Sequence, residues 1–349
     1  MSELDGQGLS LAALTAAIPE LMTQWGQRTS RVSLIKMREN AVFRVEDETG
    51  RPHALRFHRQ GYHDDAALRS ELQWMVALAE AGVDVPRLLP TLAGEPFAKC
   101  QLVPGAEPWR VDLFEWIDGR CLGTSEAGLS NDLADVRQSY FTVGATMARL
   151  HLQASGWLPP AGFKRHHWDA DGLVGEQPLW GRFWEFNGLS AAQRQLLLHA
   201  RDVVRQGLRD LPATPDAAIG YSLIHADLVP ENILVEPNGR VRLIDFDDAG
   251  FGWQLFDLAT ALYFIQDDPA HDIARDSLLR GYRSHRPLLD SALRYLPLFM
   301  TARSFTYLGW VHTRATSPQH LEIAPRLIEL ACRQAELLLG TGAHNTSAT

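Results

Sequence analysis

Cysteine is scarce in this sequence. Cys100, Cys121 and Cys332 are the only three, and none lies in a CxxC spacing. An odd, scattered set argues against both a disulfide framework and a zinc site, and it suits a reducing compartment. No run approaches the ~18 consecutive apolar residues that a membrane span needs. The N-terminus carries Glu3 and Asp5 and has no basic stretch before Leu9–Ile18, so a secretory leader is not expected. Positive charge is not in excess either: 33 Lys and Arg stand against 42 Asp and Glu, a net −9. That balance gives nucleic acid or an anionic membrane little electrostatic footing. Internal repeats and long low-complexity segments are missing as well. The expectation is a cytoplasmic protein with a small or protein partner, binding neither nucleic acid nor membrane.

What is present is an ordinary globular composition. The chain has 349 residues, 46% hydrophobic and 21% charged, and exceeds the ~250–300 residues at which a single core stops growing. Strand patterns come early, at Val42–Val45 and Ala54–His58 around a turn at Glu48-Thr49-Gly50. A helix follows, with Asp64 and Asp65 able to cap it and Gly82 suited to end it. Leu68, Leu72, Met75, Val76 and Ala79 make its apolar stripe. Val111–Trp116 reads as another strand, and Asp118-Gly119 as the place where the chain changes lobes. Tyr140–His151, Ala191–Leu208, Pro297–Arg314 and Ile323–Leu339 read as helices, whereas Gly156–Gly188 resists assignment. Strands first and helices later give an α+β, two-lobed chain. Its expected parts are a helical extension over 1–27, a β-rich lobe over 28–117, a larger helical lobe over 118–340 and a disordered tail over 341–349.

The chemistry is concentrated between Tyr221 and Asp248. Pro237-Asn238-Gly239-Arg240 separates two β-rich runs, Ile233–Glu236 and Val241–Phe246, and Asn-Gly is a strong hairpin signal. A hairpin centred on Asn238-Gly239 would set Asn232 opposite Asp245, with Cβ atoms ~4.5–5.5 Å apart. An amide oxygen and a carboxylate at that separation suit a shared magnesium ion, which prefers oxygen ligands. Asp227 follows the expected strand Tyr221–Ile224, where its carboxylate could accept a hydrogen bond from a substrate hydroxyl and align it. His225 braces this loop. Asp247 would share a face with Asp245 if the strand ran on, as an acceptor contact or an outer-sphere group.

This stretch resembles the H-x-D-x-x-x-x-N catalytic loop and metal-binding Asp of the kinase-like fold. It reads His225-Ala226-Asp227-Leu228-Val229-Pro230-Glu231-Asn232, then Ile244-Asp245-Phe246-Asp247-Asp248. The wording is most similar to the aminoglycoside phosphotransferase family, which also contains choline, homoserine and stress-response kinases. The resemblance spans roughly residues 28 to 315. It implies Asp227 as catalytic base, Asn232 and Asp245 as Mg2+ ligands, and ATP as phosphate donor. It also implies a basic residue on the third strand that contacts the nucleotide phosphates and pairs with a helical Glu. Arg56 and Glu71 occupy those places, Arg56 standing where the usual residue is Lys. The phosphate-covering loop falls at Arg38–Phe43, without the glycines of GxGxxG, and Asn40 is its candidate phosphate contact. Glu115 and Ile117 fall at the adenine-facing hinge. Asp257 is expected either to anchor the catalytic loop or to cap a helix.

The function implied is an ATP- and Mg-dependent phosphotransferase acting on a small-molecule hydroxyl. Two alternatives stand beside it: a serine/threonine protein kinase of the stress-response type, and a non-catalytic nucleotide-binding protein. The chain passes from Asp248 almost directly into a helix, which leaves little platform for a polypeptide. Its full set of Asp227, Asn232 and Asp245 disfavours the non-catalytic reading. Outside this set, His166, His167 and Asp169 read as surface polar residues, and His151 as a helix-end cation. Phe305, Tyr307 and Trp310 read as core, with one edge able to line the acceptor pocket.

Overall fold

The computed structural model describes residues 11–37, 39–124, 128–212, 219–315 and 318–345. The chain divides into two compact units. The first runs to Gly119 and takes back Pro159–Lys164; the second holds Arg120–Leu158 and everything from Arg165 on.

In the first unit, helix α1 (Leu11–Met22) precedes strands β1 (Thr29–Met37), β2 (Ala41–Asp47) and β3 (Pro52–Phe57). Helix α2 (Asp65–Glu80) and strands β4 (Ala98–Cys100) and β5 (Trp109–Glu115) follow. The strands form one antiparallel sheet in the order β1-β2-β3-β5-β4. Strand β2 alternates buried and half-buried residues, as period-2 patterning requires. Its inward Phe43 and Val45 join Leu55, Phe57, Val111 and Leu113 in a core shared with Leu14, Ile18 and Met22 of α1.

Helix α2 begins where the sequence suggested. Asp64 accepts the Ala67 N–H, and Gly82, at φ +77°, ends the helix with Val83 N–H bonded back to Leu78 O. Its buried stripe is rotated from the expected one. Leu68, Glu71, Leu72, Met75 and Leu78 are buried, whereas Val76 and Ala79 are exposed. Glu71 turns inward because a cation waits for it. The returning segment is tied to this helix by Lys164 N–H to Ser70 Oγ and by a Lys164–Asp64 ion pair.

The second unit opens with β6 (Arg120–Cys121) and the long α3 (Leu133–Gly156). The segment that resisted assignment contains β7 (His167–Trp168), α4 (Ala170–Val174) and a 3-10 turn at Phe183–Glu185. Then come α5 (Ala191–Arg209), β8 (Tyr221–Ile224), a 3-10 turn at Pro230–Asn232, β9 (Ile233–Val235), β10 (Val241–Leu243) and β11 (Gly250–Trp253). Helices α6 (Gln254–Tyr263), α7 (His271–Arg283), α8 (Asp290–Leu293), α9 (Leu296–Thr313) and α10 (Pro318–Asn345) complete it. Where a tail was expected from 341, the backbone is helical through Asn345; positions 346–349 lie outside the described residues. Two small sheets, β10-β9-β6 and β7-β11-β8, carry the functional loops. Helix α6 is buried along its whole length, so anything bonded to it is held by the centre of the unit. Helices α3 and α7 cross closely: a Cβ on Gly144 would lie 2.0 Å from Leu278 O, so only glycine fits there.

Candidate active site

The loop after β8 is fixed from several sides. Ala226 has φ +65°, a left-handed conformation that costs about 1–2 kcal/mol in a residue with a Cβ. Buried hydrogen bonds hold it there. Its N–H donates to Asp257 Oδ1 at 2.7 Å, and the preceding His225 N–H donates to Asp257 Oδ2 at 2.9 Å. Asp257, on α6, therefore anchors the loop; the residue before the helix is Trp253, so Asp257 is not its cap. His225 braces the other side. Its Nε2 lies 3.0 Å from Ile244 O, and its Nδ1 accepts the Asp227 N–H at 3.3 Å, an arrangement that places the ring proton on Nε2.

His151 is a further brace and not a helix-end cation. It is fully buried within α3, with Nε2 3.0 Å from Asp257 and Nδ1 2.9 Å from the Tyr282 hydroxyl. Burial pulls its pKa below the ordinary histidine value, although Asp257 opposes the shift. A neutral ring fits both bonds.

Asp227 follows Ala226 with a partly exposed carboxylate whose two oxygens are separately held. Oδ2 accepts Asn232 Nδ2 at 2.8 Å, and the same amide reaches Asp227 O at 2.9 Å. With its nitrogen so used, Asn232 presents its amide oxygen as the remaining ligand atom. Oδ1 is paired with Arg303 of α9, and the Tyr307 hydroxyl lies 3.5 Å away. Arg303 is 0% exposed. It also donates to Ala226 O at 3.0 Å and to Tyr307 Oη at 2.6 Å, with its guanidinium 4.9 Å from the Trp180 ring centre. Burial works against its charge, but Tyr307, Asp227 and Asp248 outweigh burial and raise its pKa. Burial also pushes the Tyr307 phenol well above its usual value. Sequence reasoning read Tyr307 as core, and it is buried there; it missed Arg303. The signal was there: Arg303 is the one Arg or Lys within α9.

The hairpin corrects one expectation. Val241 pairs with Val235, Arg242 with Leu234 and Leu243 with Ile233. Asn232 therefore faces Ile244, whose N–H donates to Asn232 O at 2.9 Å. Asp245 is the next residue along. The cause is the turn. Gly239 takes φ +80° and the loop closes on Glu236 and Arg240, a three-residue connection in place of a two-residue one. Asp245 itself has φ +66°, so the chain leaves the strand there. The shared face expected for Asp245 and Asp247 is lost with it. Among the described residues, Ala226 and Asp245 are the only non-glycines with positive φ. Asp245 is itself a residue singled out for chemistry, and Ala226 directly precedes another, Asp227; functional strain often sits at such places.

After Asp245 the chain is clamped by Arg165–Trp168. Arg165 Nη2 donates to Asp247 O at 2.6 Å, while His166 Nε2 at 3.0 Å and Trp168 Nε1 at 2.8 Å meet Asp248 O. Asp247 is buried, and the Asp248 carboxylate accepts Trp180 Nε1 at 3.3 Å. The surface reading holds for His167, which is exposed and stacks on Phe251, while half-buried His166 braces the acidic loop and half-buried Asp169 caps α4 by accepting the Gly172 N–H.

In the first unit, Arg56 on β3 meets Glu71 of α2 at 2.8 Å, as expected. It also meets a residue not singled out before. Asp112, directly opposite on β5, accepts Arg56 Nε at 3.1 Å and Nη2 at 2.7 Å, while His58 Nε2 lies 2.7 Å from Asp112 Oδ2. Asp112 is fully buried, which disfavours its charge, yet Arg56 and His58 outweigh burial and lower its pKa. Asn40 is buried and accepts the Arg59 N–H at 3.0 Å, a brace for the loop; Arg38 lies outside the described residues. Glu115 pairs with Arg51 at 3.1 Å and gives its own N–H to Arg87 O, so that donor is spent within the unit. Ile117 is half-buried just beyond β5.

Residues 32–288 match the phosphotransferase enzyme family. A solved structure of a microcompartment-associated aminopropanol kinase is 33% identical, covering 94% of this chain and 98% of that one at a TM-score of 0.81. The amicoumacin kinase of Bacillus subtilis (strain 168) is 23% identical over 307 residues, 84% of each chain. A homoserine kinase of Rhizobium johnstonii is 27% identical over 249 residues, 70% of this chain and 69% of its own. The chain belongs to the phosphotransferase enzyme family, has its protein-kinase-like α+β fold, and is a kinase acting on a hydroxyl of a small molecule with ATP as donor.

Proposed function

We propose that this kinase is magnesium-dependent and phosphorylates a small amino alcohol. The observation that carries the reading is the Asp227 carboxylate, gripped at Oδ2 by Asn232 and at Oδ1 by Arg303, with its side chain still 20% exposed. A carboxylate so fixed can accept a substrate hydroxyl's proton and hold the oxygen in line without reorienting. The donor set suits a hard cation: an amide oxygen from Asn232 and a carboxylate from Asp245. When bound, magnesium would neutralise charge on the transferring phosphate. In the first unit, Arg56 is the ligand for nucleotide phosphate, and Asn40 holds the loop that covers it.

The acceptor is inferred from two supports. One is the likeness to an aminopropanol kinase at 33% identity over nearly the whole chain. The other is the half-buried Asp248 carboxylate, held by the Trp180 indole N–H, an acid on the loop after Asp245 that suits an ammonium group. Asp247 adds a second acid to the same loop. Cys100, Cys121 and Cys332 form no disulfide, which fits work in the cytoplasm. The test is an ATP-consumption screen over 1-amino-2-propanol, ethanolamine, choline, homoserine, aminoglycosides, sugars and protein, with Asp227→Asn as blank. Turnover confined to amine-bearing alcohols supports the reading. Equal turnover of neutral sugars, or turnover of protein alone, contradicts it.

A further inference from the structure

Arginine and lysine present charge differently. An ammonium is a point that one carboxylate can steer, whereas a guanidinium is a flat fork whose plane must also be set. Arg56 is held as a fork. Two of its nitrogens, Nε and Nη2, take the two oxygens of Asp112 at 3.1 and 2.7 Å, while Glu71 accepts from Nη2 at 2.8 Å. Paired bonds of this kind fix orientation as well as distance. The sheet supplies Asp112, because the β3–β5 register sets it directly across from Arg56. His58, whose N–H still bonds Arg110 O of β5, then holds Asp112 at Oδ2.

Burial makes the arrangement costly to keep for stability alone. Arg56 is 7% exposed and both Asp112 and Glu71 are 0% exposed. Taking such charges out of water largely cancels their attraction, so a buried ion set is weak evidence for stability alone.

We propose that Asp112, seconded by His58, is a positioning residue that fits this site to an arginine: it sets the plane in which Arg56 meets the nucleotide phosphates. The inference rests on the reading of Arg56 as a phosphate ligand. Its consequence is a reversal of sign. With Arg56 present, Asp112 strengthens nucleotide binding. With Lys at position 56 it draws the shorter ammonium away from the phosphates and weakens binding.

The test is calorimetric titration of AMP-PNP with Mg2+ into the full-length parent, Arg56→Ala, Arg56→Lys, Asp112→Asn and the double variant Arg56→Lys/Asp112→Asn, with thermal melts to confirm folding. Asp112→Asn and Arg56→Lys should each weaken binding about tenfold, a usual size for coupled neighbours, and the double variant should return to within about threefold of the parent. Should Asp112→Asn not fold by itself, tighter binding by the double variant than by Arg56→Lys makes the same point. Equal weakening by Asp112→Asn in both backgrounds would overturn the proposal, because a merely structural acid has no reason to change sign. So would unchanged affinity in Asp112→Asn when Arg56→Ala binds at least tenfold more weakly. Unchanged affinity in Arg56→Ala would instead remove the phosphate-ligand reading, and the proposal with it.

Discussion

Two buried arginines, one in each unit, are held in opposite ways. Arg56 is a cation oriented by the acids Glu71 and Asp112, whereas Arg303 is a cation that orients an acid, Asp227. On the proposed reading, the basic group is the working part of the first unit and the carboxylates are its frame; in the second the carboxylate works, and the guanidinium, an amide and a strained backbone are the frame. The same ion-pair chemistry therefore does different jobs, and the difference lies in which partner keeps an exposed edge. Asp227 retains 20% exposure, while Arg303 has none.

The sharpest way to break this contrast is at the working acid. Asp227→Asn should lower turnover on the order of 10³-fold, with Mg·AMP-PNP affinity within about threefold of the parent. Steady-state kinetics beside calorimetry checks it, and turnover within tenfold of the parent would remove Asp227 from the chemistry. The frame comes next. Arg303→Met should cut kcat roughly 10²-fold through misplacement of Asp227, with the KM for ATP little changed; a KM effect alone would make Arg303 an ordinary structural cation. Asp257→Asn puts an amide donor where two backbone N–H groups arrive, and should destabilise the second unit by about 2–4 kcal/mol in urea unfolding.

Acid should separate the units least dramatically. His151 has a folded pKa depressed by burial, so its contribution is complete above the unfolded value near ~6.5. It erodes as pH falls below that value. Asp47, in the first unit, is disfavoured as an anion by burial but is lowered to about 2 by bonds from Thr49, His53 and Arg51. Its contribution is complete above the ordinary value of 3.8 and is lost only as pH falls through about 2. Mild acid, between pH 6.5 and 5, should loosen the second unit first. Hydrogen exchange across that range checks the order, and His151→Gln should flatten the change.

The sequence made the parts legible where chemistry and spacing are local. Asp227 and Asn232 share one loop, Tyr221–Ile224 was bounded correctly, and Arg56 with Glu71 followed from a strand and a helix in fixed order. It was less informative where tertiary contacts decide. Asp112 reads as any acid in a strand until the register puts it opposite Arg56. Arg303 is a lone cation in an apolar helix, and only packing says which acid it meets. The Arg165–Trp168 clamp acts on carbonyl oxygens some 80 residues away in sequence, a contact that leaves no pattern. The expected hairpin register was off by one because the loop closes on Glu236 and Arg240, one residue longer than Asn238-Gly239 implies alone.

The central claim is that Asn232 and Asp245 hold a divalent ion beside a separately held Asp227. It is tested most directly by titrating Mn2+ into the AMP-PNP-bound protein and following free Mn2+ by electron paramagnetic resonance. The account predicts that Asp245→Ala weakens Mn2+ binding at least ~tenfold, while Asp227→Asn leaves it within about twofold. Parent-like Mn2+ affinity in Asp245→Ala would contradict it.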